Sequence, residues 1–205
     1  MRLGKEAMDA LRAEITGRLK PGDELVVAGP VALKGTTVLA ERGQTALKER
    51  FSAGFLQKLL SLYTQYGVGD NPQESVAWQT AREAGATALY AMGEGGFLSA
   101  LWKMTEASCV GLRADYRKVP VRQETIELCE VFDLNPYRLL ADGALLIGIA
   151  DGKELVEQLG RIGVTAAVIG RANEENDRLL YCGERARYLE RPEQDEIHRV
   201  LQEAL

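Results

Sequence analysis

The apolar positions of this chain change period several times, and each change marks an element. Met8, Leu11, Ile15 and Leu19 recur at helical spacing and predict a helix over residues 4–19. Lys20-Pro21-Gly22-Asp23 breaks the pattern. Residues 24–28 then read as a short strand closed by Gly29-Pro30. Gly35-Thr36-Thr37 precedes a helix running through Leu39 and Ala40, and a further helical pattern uses Phe51, Phe55, Leu59, Leu60 and Tyr63. Residues 67–72 form a loop, the best internal boundary in the chain. A helix over 73–84 is expected to turn Val76, Ala77 and Thr80 inward, and a strand over 87–91 feeds the turn Gly93-Glu94-Gly95-Gly96.

The second half is more regular. A helix over 96–107 should bury Phe97, Leu98, Leu101 and Met104, and a strand covers 110–113. Val119-Pro120-Val121 leads into a helix through Phe132 that sets Thr125, Leu128, Cys129 and Phe132 on one face. Residues 144–149 are almost wholly apolar, the mark of a strand buried on both faces. Asp151 is placed to cap a helix to Leu159. Residues 164–169 are another strand, 178–181 and 186–189 a closing hairpin around Gly183, and 194–204 a last helix. Strands and helices alternating at this length imply helices layered on a sheet.

Composition narrows the function. A net charge of −5 with no basic block argues against a nucleic-acid partner. No apolar run reaches the ~18 residues of a membrane span, and no secretory signal opens the chain, so a cytoplasmic location is expected. Cys109, Cys129 and Cys182 are odd in number and widely spaced, which suggests neither a disulfide framework nor a metal knuckle. Cys129 reads as core, Cys109 and Cys182 as strand residues. The only histidine, His198, reads as a solvated residue near the end of the chain, which makes Ser/His or Cys/His catalysis improbable.

The turn at 93–96 carries the most chemistry. Free N–H groups at a helix start, with no Cβ in the way, suit a phosphate. The same residues also suit a tight strand-to-helix turn with close contacts. Glu94 competes with an anion for the helix dipole, or is placed to hold a divalent cation bridging to a phosphate. Gly35 and Thr36 are a second phosphate candidate, or a glycine turn with a threonine cap. Asp23, Asp142 and Asp151 adjoin glycines and fit turn or cap chemistry. Arg113, Arg122 and Arg171 are anion candidates at positions where a surface arginine is ordinary. The stripe of the first helix either docks a partner or covers the chain's own core.

Taken in order, these segments resemble the C-terminal domain of the aminoimidazole ribonucleotide (AIR) synthetase superfamily, which includes selenophosphate synthetase, thiamine monophosphate kinase and the hydrogenase maturation factor that dehydrates a carbamoyl group. The resemblance is greatest to the hydrogenase-maturation-like branch. It is carried by Lys20-Pro21-Gly22-Asp23, Gly35 to Ala40, Gly93 to Ser108, Val119-Pro120-Val121-Arg122, Leu134-Asn135-Pro136-Tyr137, Leu140 to Leu146, and Ile169-Gly170. The resemblance implies an α+β fold, a mixed sheet with helices on its faces, over residues 20–205, with residues 1–19 as an added helix.

It also implies departures. Family members carry a preceding domain that supplies most ATP and magnesium ligands and much of a dimer interface. Only about twenty residues precede the match, so that domain is expected to be absent. Where the family's loop reads His-Asp-x-Thr, this chain has Tyr90, Ala91 and Gly93. The hydrogenase factor's terminal cysteine has no counterpart in Gln202-Glu203-Ala204-Leu205. The expected function is a non-catalytic or partner-dependent module that binds a protein partner, or a phosphate-bearing ligand through Gly93, Glu94, Gly95, Gly96, Gly35 and Thr36. A homo-oligomer, or a partner in place of the missing domain, is expected. The alternative is one half of a split ATP-dependent phosphoryl-transfer or dehydration enzyme. ATP and magnesium enter only if another chain supplies the ATP domain. A third reading is a paralogue that keeps the fold alone.

Overall fold

The computed structural model describes residues 3–203, so the readings at Met1, Arg2, Ala204 and Leu205 lie outside the described residues. The chain runs α1 (Lys5–Ala13), β1 (Thr16–Gly17), β2 (Glu24–Ala28), α2 (Leu33–Arg42), α3 (Gln44–Arg50), α4 (Ala53–Tyr66), α5 (Val76–Glu83), β3 (Ala88–Ala91), α6 (Gly96–Ser108), β4 (Gly111–Asp115), α7 (Gln123–Val131), β5 (Leu145–Ile149), α8 (Gly152–Arg161), β6 (Ala166–Asn173), β7 (Arg178–Cys182), β8 (Arg185–Tyr188) and α9 (Ile197–Glu203). Single 3-10 turns occur at Pro72–Glu74, Tyr116–Lys118 and Pro136–Arg138.

One mixed sheet, in the order β1-β3-β5-β2-β6-β4-β7-β8, organises these elements. Every neighbouring pair is antiparallel except β4 with β7. The fold is therefore α+β. Alternation along β2 sends Leu25 and Val27 to one face, where they meet Phe97, Leu101 and Met104 of α6 and Leu11 of α1. Val26 and Ala28 go to the other face, against Trp78 and Ala81 of α5 and Leu155 and Leu159 of α8. β5, central in the sheet, is buried at all five positions, which is why its sequence lacks alternation. A third apolar cluster joins α2, α3, α4, α7 and α9, with Leu33, Leu39, Leu59 and Leu128 fully buried.

Some elements differ from the sequence expectation. The helix expected over 4–19 ends at Ala13. Thr16 and Gly17 instead pair with Leu89 and Ala88 at the sheet edge, and Gly17 takes a φ of 78°, which other residues resist. Leu11, Ile15 and Leu19 are all buried as the stripe predicted, but the last two reach the core from irregular chain beside β1. The pattern through Phe51 divides at Ser52, whose hydroxyl accepts the Phe55 N–H and starts α4. Ser75 similarly starts α5, leaving Val76 66% exposed while Ala77 and Trp78 turn inward. Cys109 is a left-handed helix cap at φ 56°, not a strand residue. Cys129 is buried in α7, where burial pushes its thiol up to about 12.

Candidate functional site

β3 leaves the sheet at Ala91, and Met92 still bonds back to it through the Ala144 carbonyl at 2.9 Å. The chain must then reverse into α6 within four residues. Gly95 and Gly96 do this at φ values of 80° and 68°. A Cβ on Gly96 would lie 2.7 Å from the Tyr137 carbonyl oxygen and 2.8 Å from that of Leu139. Gly96 is thus required by close contact with backbone as well as by its conformation. Gly93 is roomier: its carbonyl accepts the Gly96 and Ala141 N–H groups, each at 3.1 Å, and its nearest neighbour to a Cβ is Asp142 Oδ1 at 4.0 Å.

The Gly95 N–H, at the start of α6, meets a carboxylate of the chain itself. Asp195 is 2% exposed, and its Oδ2 accepts the Gly95 N–H at 2.6 Å. Its Oδ1 accepts Leu140 N–H at 3.2 Å and Ile197 N–H at 2.9 Å. Burial pushes this carboxyl above its ordinary value, opposed by the N–H groups of Ile197, Gly95 and Leu140 and by His198. The favourable dipole of α6 and three charge-assisted hydrogen bonds offset part of the desolvation. Outside this pocket, His198 Nε2 lies 3.0 Å from Glu94 Oε1. His198 is therefore a partner of the turn, where the sequence suggested only a solvated residue. Arg138, beside the turn, pairs with Glu190 at 3.3 Å and Glu193 at 2.5 Å. Residues 190–198 thus pack beside Gly95, while Glu94 stays exposed.

Gly35 and Thr36 lie inside α2 and not ahead of it, because the helix begins at Leu33 after Ala32 at φ 63°. The Gly35 N–H donates to the Leu140 carbonyl at 3.0 Å, and the Thr36 N–H to that of Ala32 at 2.9 Å. The fully buried Thr36 hydroxyl donates to Ala32 O at 2.8 Å and lies 3.0 Å from the Thr125 hydroxyl. A Cβ on Gly35 would meet the Leu139 side chain at 2.5 Å. The two glycine segments flank one stretch, residues 137–140. The Leu140 peptide joins them, its N–H bonded to Asp195 and its carbonyl to Gly35.

The remaining candidates have structural partners. Asp23 accepts Lys20 N–H at 2.7 Å and the Thr87 hydroxyl at 2.5 Å, and Asp151 accepts Glu154 N–H at 3.1 Å as the cap of α8. Arg113 pairs with Glu175, Arg122 with Glu124 while stacking over Tyr66, and Arg171 with Glu24. Asp142 is half-buried beside Gly93, and burial pushes its carboxyl up, partly offset by its own backbone N–H and by Lys34. No cluster of three or more His, Cys, Asp or Glu among the described residues is arranged to hold a metal ion. No helix among them is long and apolar enough to cross a membrane.

Sequence reasoning missed Asp195. It sits in a polar run, Glu193-Gln194-Asp195-Glu196, with no apolar periodicity to mark it as buried. Its local signal was that of an aspartate two residues before a helix, and nothing local points to Gly95, a hundred positions away.

This architecture has known counterparts. The carbamoyl dehydratase HypE of Rhodobacter capsulatus is 28% identical over 170 residues, which are 80% of this chain and 46% of that protein. Crystal structures of E. coli HypE (23% identity, TM-score 0.67, 89% of this chain and 53% of that one) and of a HypE–HypF complex (20% identity, TM-score 0.59, 85% and 54%) share the fold. The chain spans about half the length of the curated relatives it matches. The family described as AIR synthase related protein, C-terminal domain, matches residues 20–182, and the chain belongs to it.

Proposed function

We propose that this chain is a partner-dependent module of the hydrogenase-maturation-like branch, which binds a protein and does no chemistry by itself. The observation that carries this reading is the Asp195 carboxylate on the Gly95 N–H. With the Gly95 N–H engaged by its own chain, the turn has one donor fewer for a phosphate, which favours other surfaces for binding. The half-length match supports a companion: in the relatives, as much chain again accompanies the matched part. Here that companion is a second copy, another protein, or more of a longer chain. A complex of a relative, HypE with HypF, supports protein recognition on this scaffold. Native mass spectrometry of the purified protein should show an oligomer or a retained partner. A monodisperse monomer that binds nothing from its own cell extract contradicts the proposal.

The same contact favours a second reading, a split ATP-dependent enzyme. The turn already holds an oxyanion, so its geometry remains that of an anion seat. A phosphate would enter at Gly93, Glu94, Gly95 and Gly96 only as Asp195 leaves, and Glu94 would reach magnesium only on release from His198. Gly35 and Thr36 would act through residues 137–140, since their own donors are engaged. Thermal shift with ATP and magnesium, with and without the unmatched half of the R. capsulatus relative, tests it. Stabilisation by nucleotide in the mixture supports this reading, and none in any combination removes it.

A further inference from the structure

The far edge of the sheet is unlike the rest of the molecule. Among the described residues β8 pairs only with β7, and all four of its residues are exposed. The Leu189 N–H donates inward to the Arg178 carbonyl at 2.7 Å. Antiparallel alternation then turns the backbone N–H and C=O of Ala186 and Tyr188 outward, away from β7. Such an edge is a template for another strand.

An open cavity of about 540 Å³ adjoins this edge, between the β7–β8 hairpin and the turns at Tyr116–Lys118 and Pro136–Arg138. Leu180, Tyr116 and Tyr137 line its apolar part, the two rings meeting edge-on with centroids 4.6 Å apart. Arg117, Arg185 and Arg187 rim it. Arg117 is held by Asp115 at 2.9 Å, and Arg187 lies over the Tyr116 ring and bonds its hydroxyl. Arg117, Arg185 and Arg187 line the cavity itself, while the carboxylates near it, Asp115, Glu184 and Glu190, lie outside its lining, so the cavity presents basic groups on a chain of net charge −5.

We propose that the β8 edge is a strand-addition site for an extended acidic segment of a partner protein, whose carboxylates meet Arg185 and Arg187 and one of whose apolar side chains enters the cavity. Main-chain bonds to Ala186 and Tyr188 give the affinity, and the cavity and arginines give the selection. Charge argues against a second copy here, because β8 against β8 would oppose Arg185 and Arg187 with their own equivalents. The inference rests on the reading of the chain as a protein-binding module and names the chemistry of its partner.

The test is fluorescence anisotropy of the full chain with a labelled extended peptide whose two glutamates and one leucine occupy alternate positions (Glu-Thr-Leu-Thr-Glu), so that all three share the face that carries Arg185, Arg187 and the cavity. Saturable binding that weakens with salt is expected. The lysine-for-glutamate peptide and the Arg185→Glu/Arg187→Glu variant should each bind at least about tenfold more weakly. Two peptides N-methylated on alternate residues, in opposite phase, separate strand addition from charge attraction: one phase should bind as the parent does and the other should lose binding. No saturable binding, equal binding of the lysine peptide, retention by the variant, or equal behaviour of the two methylated peptides overturns the inference. If the peptide fails while native mass spectrometry still finds a partner on the charge-reversed variant, the site is refuted and the module reading stands.

Discussion

α2 and α6 begin alike and are closed differently. Each follows a residue in the left-handed region, Ala32 or Gly95, and neither has a side-chain cap from its own start. At α2 the Gly35 N–H is satisfied by a backbone carbonyl, that of Leu140. At α6 the Gly95 N–H is satisfied by a side chain from a segment a hundred residues later. Closure by backbone changes only if the chain moves. Closure by a carboxylate depends on one atom pair, one ionisation state and the seating of residues 190–198. The difference separates a helix start closed by backbone from one closed by a side chain distant in sequence.

Substitutions should sharpen that contrast, and Gly96→Ala should have the largest effect. The new Cβ meets two backbone carbonyls that cannot rotate away, and φ is positive. A loss of about 3–5 kcal/mol is expected in urea unfolding. A loss below 1 kcal/mol would show that residues 137–139 can yield, making this start as adaptable as the other.

Asp195→Ala comes next. It strands the N–H groups of Gly95, Leu140 and Ile197, at a cost of about 2–3 kcal/mol by the same measurement. Asp195→Asn keeps one acceptor and should fall between. Titration follows from the raised carboxyl. Between the ordinary value of 3.8 and its higher value in the fold, the native state binds more protons than the unfolded chain. This group's contribution is therefore complete below 3.8 and is lost as pH rises through the raised value. The stability of Asp195→Asn should lack that decline, and an unchanged pH profile would place the carboxylate outside this contact.

Gly35→Ala should cost about 1–2 kcal/mol, since Leu139 must shift while helix propensity improves. His198→Ala, which removes the pairing with the exposed Glu94 and a weaker influence on Asp195, should cost about 0.5 kcal/mol or less. If it matched Asp195→Ala, the outer pair and not the buried carboxylate would be what closes the turn.

Local chemistry made much of this legible. The apolar run of β5, the Asp151 cap, the stripe of α6 and the hairpin around Gly183 each stand where their own residues placed them. Ile15 and Leu19 show the limit: burial was readable from their spacing, but the backbone that delivers them was not, because edge pairing with β3 overrode helical continuation. The glycine turn was legible as a turn. The side chain that closes it was not, because Asp195 meets Gly95 only through tertiary contact and no periodicity marks a single buried carboxylate. The β8 edge was likewise readable as a hairpin strand, and its exposure only from the sheet order.

The central claim, that Asp195 closes the glycine turn, is tested most directly at the Gly95 amide by two-dimensional NMR. In the wild-type protein that resonance should lie downfield, stay protected from exchange, and remain unmoved by excess inorganic phosphate. In Asp195→Ala it should move upfield and exchange faster. A Gly95 amide that shifts saturably with phosphate in the wild type, or that ignores the substitution, would contradict the account.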